Sequence, residues 1–446
     1  MPKPGHIGRY RPIAALGIVA RVVLRALTSE LAGDVPAFDR SFAAQQAFQH
    51  QPVEARSRYV VVADVASFYF FVEHRLLAAR LIDLTARADT AEATRVLLDG
   101  LIGRPYGLPQ NFGPSRPLSE AFIAPVERRM QRAGVMTFRS NDDFRLCADG
   151  WGDALQALER LQEEVSAVGL DLNGEKSWIL KLDTYTRNMA LTDELLAAAL
   201  ASADDEDLPD IDAYTGEPVE HDEDEDEDEV DAGLADVAVR IFEHAATERL
   251  GDRRMDGFQR TATRQALVIG LHLLSRSRSE AGVADGAKMV AIDPLLARPY
   301  VGYLRALDAE GPVTAQRVQH TLALFRGHAP YWTQAWLANA LLDPRVTLTD
   351  DTVAFLERLL GSPAPAVLRM RAALVLAFHG RFGAAEVAAM IDGVPPSARP
   401  DAVAAMALAS ASGGRAQALR AYPDDRLLRW VADFAFEHRK DPGPLL

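Results

Sequence analysis

The spacing of apolar positions changes twice along the chain. Tyr59-Val-Val-Val-Ala-Asp64 is a short, β-branched apolar run closed by an acid, the pattern of a buried strand. Helical spacing follows over Phe70–Leu84 and Ala91–Ile102, and again over Leu118–Arg132, where Pro117 sits in the opening turn. Met136-Thr-Phe-Arg-Ser and Phe144-Arg-Leu-Cys-Ala flank a turn-like Asn141-Asp-Asp and read as a hairpin with both acids at its tip. Leu155, Leu158, Leu161, Val165 and Val168 fall on one stripe of a predicted helix that Gly169 ends. Residues 171–180 return as extended chain. The order of strand, helices, strand–strand, helix, strand predicts a split βαβ sheet. From residue 234 onward only helical patterns remain, and Gln334–Leu342 and Arg371–His379 repeat one pattern.

These patterns predict an α+β chain: a ferredoxin-like (split βαβ) domain over residues 1–200, then an all-α HEAT-like helical repeat domain over 234–446. Residues 201–233 separate them. Between Asp204 and Asp231 stand seventeen acids and no Lys or Arg. The formal net charge is −15, so the flanking sequence is close to neutral and the acidity is local. Such a run is read as a solvated, disordered linker, or else as a nucleic-acid mimic guarding a basic groove. Apolar residues make up 48% of the chain and exclude global disorder; a single Cys, Cys147, excludes a disulfide framework. No apolar run reaches the length of a bilayer span and no signal peptide is evident, so a cytoplasmic protein without a membrane partner is expected.

The sequence contains no GxGxxG, GxxxxGK[ST], GxSxG or HExxH, and its ten His show no close pair at ligand spacing. Candidate chemistry therefore rests on carboxylates. Asp64 ends a buried strand, where a lone carboxylate is costly unless paired or metal-bound. Asp142 and Asp143 face it across the predicted sheet. Three acids at adjacent strand ends raise one another's pKa, and a divalent cation reverses the effect. Oxygen-only ligands suit Mg²⁺, with Mn²⁺ as substitute, and two such ions serve in-line phosphoryl transfer. The competing reading is a capped strand end beside an ordinary hairpin turn.

Four segments carry a resemblance. Ala63-Asp-Val-Ala-Ser-Phe-Tyr-Phe-Phe-Val-Glu-His74 looks like the first palm motif of reverse transcriptases. Gly107-Leu-Pro-Gln-Asn-Phe-Gly-Pro-Ser115 is similar to their Leu-Pro-Gln-Gly motif. Phe138-Arg-Ser-Asn-Asp-Asp-Phe144 resembles their Tyr-x-Asp-Asp hairpin, and Gly169-Leu-Asp-Leu-Asn-Gly-Glu-Lys176 the motif that follows it. The resemblance, over about residues 9–180, implies a polymerase palm with minimal fingers and RNA-directed DNA polymerase activity. Asp64, Asp142 and Asp143 would be catalytic and, with the Val65 carbonyl, would hold the metal. Tyr69 would be the steric gate against a ribose 2′-OH. Gln110, Arg11 and Lys176 would bind the nucleotide, with Lys3 a weaker candidate. Expected partners are dNTPs and nucleic acid, as RNA template, DNA product or both.

A compact palm followed by helical repeats is similar to the abortive-infection and unknown-group bacterial reverse transcriptases of phage defence. Some of these extend DNA without a template from a protein hydroxyl. That implies Tyr300, Tyr303 and Tyr331 as primer candidates, although each also reads as a packing tyrosine. Trp332, Trp336 and Trp430 are read as packing residues, and the solenoid is expected to self-associate. Asn141 and Asn111 depart from the family pattern, and the residues between Thr184 and Leu200 leave room for only a short thumb. An alternative therefore stands beside the enzyme: a palm without catalysis that scaffolds nucleic acid or partner proteins.

Overall fold

The computed structural model describes residues 2–4, 10–12, 14, 16–35, 42–110, 112–187, 189, 238–240, 242–243, 245–247, 257–307, 310–391, 394–409, 414–422 and 424–439. The acidic run and Asn111 lie outside them. The chain divides into two compact units. One comprises residues 20–227 and 252–266; the other gathers residues 1–19, 228–251 and 267–446. Two short strands, β1 (Pro2–Pro4) and β2 (Tyr10–Pro12), open the chain, pair antiparallel and group with the latter unit.

The first-named unit begins with α1 (Ile18–Ala32) and α2 (Phe42–Glu54). Then come β3 (Tyr59–Asp64), α3 (Phe68–Phe71), α4 (His74–Thr85), α5 (Ala88–Ile102) and α6 (Ser115–Arg132). The hairpin β4 (Met136–Ser140) and β5 (Asp143–Ala148) follows, then α7 (Trp151–Ser166) and β6 (Trp178–Lys181). The four strands form one antiparallel sheet in the order β4-β5-β3-β6, the order of a split βαβ fold.

Side chains alternate across a strand, and here the alternation divides the sheet cleanly. Val61, Ala63, Phe144 and Leu146 face the core built with Leu118, Phe122 and Met130 of α6 and Leu161 and Val165 of α7. Val60 and Val62 face the other way, onto Tyr185 and Met189. Asp64 shares the parity of Val60 and Val62.

Two predicted helices differ from those found. The stretch Phe70–Leu84 is broken at Val72, which is extended. Glu73 then caps α4, its carboxylate accepting from the backbone N–H of Arg75 and Leu76. In α7 the buried stripe is Ala154, Ala157, Leu161 and Val165, whereas Leu155 is exposed.

Among the described residues, the other unit is helical apart from its two strands. Its helices are α8 (Gly257–Arg276), shared across the division of the chain, α9 (Val283–Ile292), α10 (Ala297–Ala306) and α11 (Val313–Leu324). They continue with α12 (Tyr331–Asn339), α13 (Asp350–Gly361), α14 (Ala366–Phe378) and α15 (Ala384–Ile391). The last are α16 (Arg399–Leu408), α17 (Gly414–Ala421) and α18 (Arg426–Glu437). Second neighbours pack along one row, α10-α12-α14-α16-α18, and along a companion row containing α9-α11-α13. Starts at Ala297, Tyr331, Ala366 and Arg399 recur every 33–35 residues, a shorter step than the sequence pattern predicts. Trp332 is buried as expected; Trp430 instead stands exposed, because it lies on the outer face of α18 opposite Leu428, Ala432 and Ala435. No helix among the described residues is long and apolar enough to cross a membrane.

Candidate active site

The hairpin sets the site. Ser140 pairs with Asp143, leaving Asn141 and Asp142 as a two-residue turn. Asn141 takes φ 55°, the left-handed region that Asn tolerates better than most side chains. This accounts for an asparagine before the acid pair. It also corrects the expected tip: Asp142 is on the turn, but Asp143 is the first residue of β5.

In register, Asp143 lies directly opposite Asp64. Directly opposed residues put their side chains on the same face with Cβ atoms roughly 5 Å apart. The Val65 N–H donates to the Asp142 carbonyl at 3.1 Å, so the turn is stitched to the residue after Asp64. The three acids are thus brought together, with Asp64 and Asp142 both buried. Asp142 Oδ1 accepts from Asn141 Nδ2 at 2.5 Å. Burial pushes the Asp143 carboxyl up to about 7; Arg145 opposes that rise, while the charges of Asp64 and Asp142 reinforce it.

Both oxygens of Asp64 are engaged from the segment between α7 and β6. Asn173 Nδ2 donates to Oδ2 at 3.1 Å, and Lys176 Nζ donates to Oδ1 at 3.2 Å. The Asn173 N–H also donates to the Asp64 carbonyl at 2.7 Å. Lys176, expected near a triphosphate, here neutralises the first acid. Among the described residues, no group of three or more His, Cys, Asp or Glu is gathered as a ready metal-ligand set. The donors nonetheless suit a hard divalent cation: they are carboxylates and a carbonyl, partly desolvated, whose mutual repulsion such a charge would cancel.

The tip is anchored from behind. Arg139, on the helix-facing side of β4, has an almost fully buried side chain that grips Glu120 of α6 with two nitrogens. Its Nε donates to Glu127 at 3.0 Å, and its Nη1 donates to the Asn141 carbonyl at 3.0 Å. Arg139, Glu120, Glu127 and Asn173 were not singled out by sequence. A lone acid at Glu120 inside the apolar run of α6 was the available signal.

Tyr69 is half-buried, its hydroxyl 3.1 Å from Ser119 Oγ. The Leu108 N–H donates to the Tyr69 carbonyl at 2.6 Å and the Gly107 N–H to the Val72 carbonyl at 2.8 Å, so backbone bonds hold the turn bearing Gln110 beside the Tyr69 segment. Arg11 is not brought to these residues within one unit: it lies on β2, and its side chain and that of Lys3 are outside the described residues. Tyr300 and Tyr303 are buried, donating to the Val283 and Ser279 carbonyls, and burial pushes the Tyr300 phenol up to about 12. Neither presents a free hydroxyl.

This geometry is consistent with a polymerase palm: two opposed acids stand on neighbouring antiparallel strands and a third on the turn between β4 and β5. Residues 1–194 match the family model for reverse transcriptase (RNA-dependent DNA polymerase). The match supports a nucleotidyl polymerase of reverse-transcriptase type, a class that implies nucleotide substrates and a nucleic-acid template. No curated protein matches the chain.

Proposed function

We propose that this chain is a DNA polymerase of reverse-transcriptase type whose reaction centre is formed by Asp64, Asp142 and Asp143. The observation that carries it is the register: Asp64 stands opposite Asp143, with Asp142 on the adjoining turn. In this reading Asp64, Asp142 and the Val65 carbonyl hold divalent cations, Mg²⁺ or Mn²⁺, with Asp143 beside them. When bound, that charge supplies the activation of a 3′-hydroxyl or protein hydroxyl and the neutralisation of a leaving pyrophosphate. Tyr69 crowds a ribose 2′-OH and Gln110 contacts the incoming nucleotide. Lys176 pairs with Asp64 in the resting protein and is free to turn to phosphate once released. A role for Arg11 in gripping phosphate belongs to the same reading.

The helical rows support a HEAT-like solenoid in the second unit, and with it a place among the defence-associated enzymes. Burial of Tyr300 and Tyr303 removes them as protein primers, which leaves Tyr331 of the three. The test is incorporation of labelled dNTPs, singly and mixed, with and without RNA, analysed on a denaturing protein gel. Loss of incorporation in Asp142→Ala/Asp143→Ala is expected; retention at the wild-type level overturns the assignment. The second reading, a palm that only scaffolds, draws on the closure of Asp64 by Asn173 and Lys176. It predicts no incorporation with either metal and any template.

A further inference from the structure

His74 is wholly buried at the start of α4, and each of its ring nitrogens faces an oxygen. Nε2 lies 2.7 Å from the Gly107 carbonyl. A carbonyl only accepts, so Nε2 carries a hydrogen and donates it. Nδ1 lies 2.6 Å from Asp99 Oδ1 of α5, whose other oxygen accepts from Arg95. Both ring nitrogens are thereby engaged. The side chain thus ties α5 to the turn Gly107-Leu108-Pro109-Gln110 across the start of α4.

That turn needs such a tie. Gly107 has φ +110°, a conformation that L side chains rarely adopt, so local preference does not dictate the direction of its carbonyl. The backbone bonds from Gly107 N to Val72 and from Leu108 N to Tyr69 fix the turn on the side of α3. His74 fixes the opposite edge of the same peptide. The spacing between Tyr69 and Gln110 follows from the two together.

We propose that His74 is a positioning residue that sets the placement of Gln110 and Tyr69 against the incoming deoxynucleotide. The proposal rests on the reading above in which Gln110 contacts that nucleotide. A histidine that merely fills the core would, on removal, lower stability without selecting one kinetic constant. A positioning histidine acts on nucleotide affinity and on the choice of sugar.

The experiment compares full-length wild type, His74→Leu, His74→Gln, Gln110→Ala and the double variant His74→Leu/Gln110→Ala. KM and kcat for dNTP and rNTP and the melting temperature are measured for each. His74→Leu should raise the dNTP KM about tenfold, the size of one lost buried hydrogen bond, and leave kcat within about twofold. Discrimination against rNTP should fall with it. His74→Gln, whose amide nitrogen can still donate toward Gly107, should recover most of the KM at a similar melting temperature. The double variant should bind dNTP no worse than Gln110→Ala, because the two residues act through one contact.

An unchanged KM in His74→Leu, or additive effects in the double variant, overturns the proposal. So does a KM and kcat change that simply tracks melting temperature through both His74 variants. Unchanged KM in Gln110→Ala alone overturns instead the nucleotide role of Gln110. If His74→Leu does not fold, Asp99→Asn, which loosens the ring only from α5, replaces it. The same rise in KM is then expected of Asp99→Asn, and an unchanged KM there overturns the proposal.

Discussion

Removing the charge of Asp143 should stabilise the metal-free protein, and only above a definite pH. The carboxyl is pushed from 3.8 to about 7 in the folded chain, first by burial and further by Asp64 and Asp142 against the pull of Arg145. Below pH 4 the folded and unfolded chains both hold the proton, and the acid costs nothing. Between about 4 and 7 the unfolded chain releases it while the folded chain keeps it, so folding stability falls as pH rises. Above 7 the cost is constant. Three pKa units correspond to ~4 kcal/mol, and partial exposure of the residue brings the expectation nearer ~3 kcal/mol. Asp143→Asn is isosteric and has no proton to lose. In EDTA, urea unfolding followed by circular dichroism should find the variant and wild type equal at pH 4 and the variant about 3 kcal/mol more stable at pH 8. Adding Mg²⁺ or Mn²⁺ at pH 8 should narrow that gap by stabilising the wild type more than the variant, which keeps Asp64 and Asp142 but lacks the third charge. A difference that stays flat from pH 4 to 8, or favours the wild type at pH 8, refutes the raised Asp143 carboxyl that burial and the neighbouring acids together imply.

Arg139→Met strands two carboxylates of α6 and should cost about 3–5 kcal/mol in urea unfolding; adding Glu120→Leu should recover much of it, since the second change removes the buried unpaired charge. Lys176→Met frees Asp64 from an ion pair worth up to ~1 kcal/mol, and electron spin resonance of free Mn²⁺ should find binding tightened by up to about fivefold; unchanged or weaker binding refutes the competition. In the helical unit, a Cβ at Gly286 would stand 2.6 Å from the Tyr300 ring. Gly286→Ala should therefore lower stability by ~1–3 kcal/mol, although alanine is the better helix former; a raised melting temperature would contradict the close packing of α9 on α10.

What the sequence revealed and what it hid follow from range. Asp64 was legible because an acid closing a β-branched run is anomalous without company. Its opposition to the acid pair was legible because hairpin and strand order leave few ways to build the sheet. The strand position of Asp143 was not, since it depends on Asn141 entering the left-handed region and ending the turn one residue early. The break inside Phe70–Leu84 was hidden in the same way: Glu73 caps α4 through its own side chain, a choice that apolar spacing does not record. Leu155 and Trp430 were read as buried because periodicity names a stripe without saying which neighbour covers it. Contacts joining distant positions, Arg139 with Glu120 and His74 with Asp99, carry no periodic signal at all.

The register of the hairpin is the quantity on which the site depends, and both faces of the sheet defend it. A slip of one residue of the whole hairpin against β3 would exchange the two faces. It would turn Arg139 out of its carboxylate pair with α6 and send Phe144 and Leu146 out of the core. It would also carry Asp143 away from Asp64, which a core-only argument would not forbid. The apolar face thus supplies the energy that fixes the register, while the acids on the opposite face repel one another and offset part of it. The anchoring of the turn carbonyl by Arg139, and of Asp142 Oδ1 by Asn141, falls where that repulsion would otherwise open the hairpin. A cluster of like charges is tolerated here because the strands carrying it are held from behind.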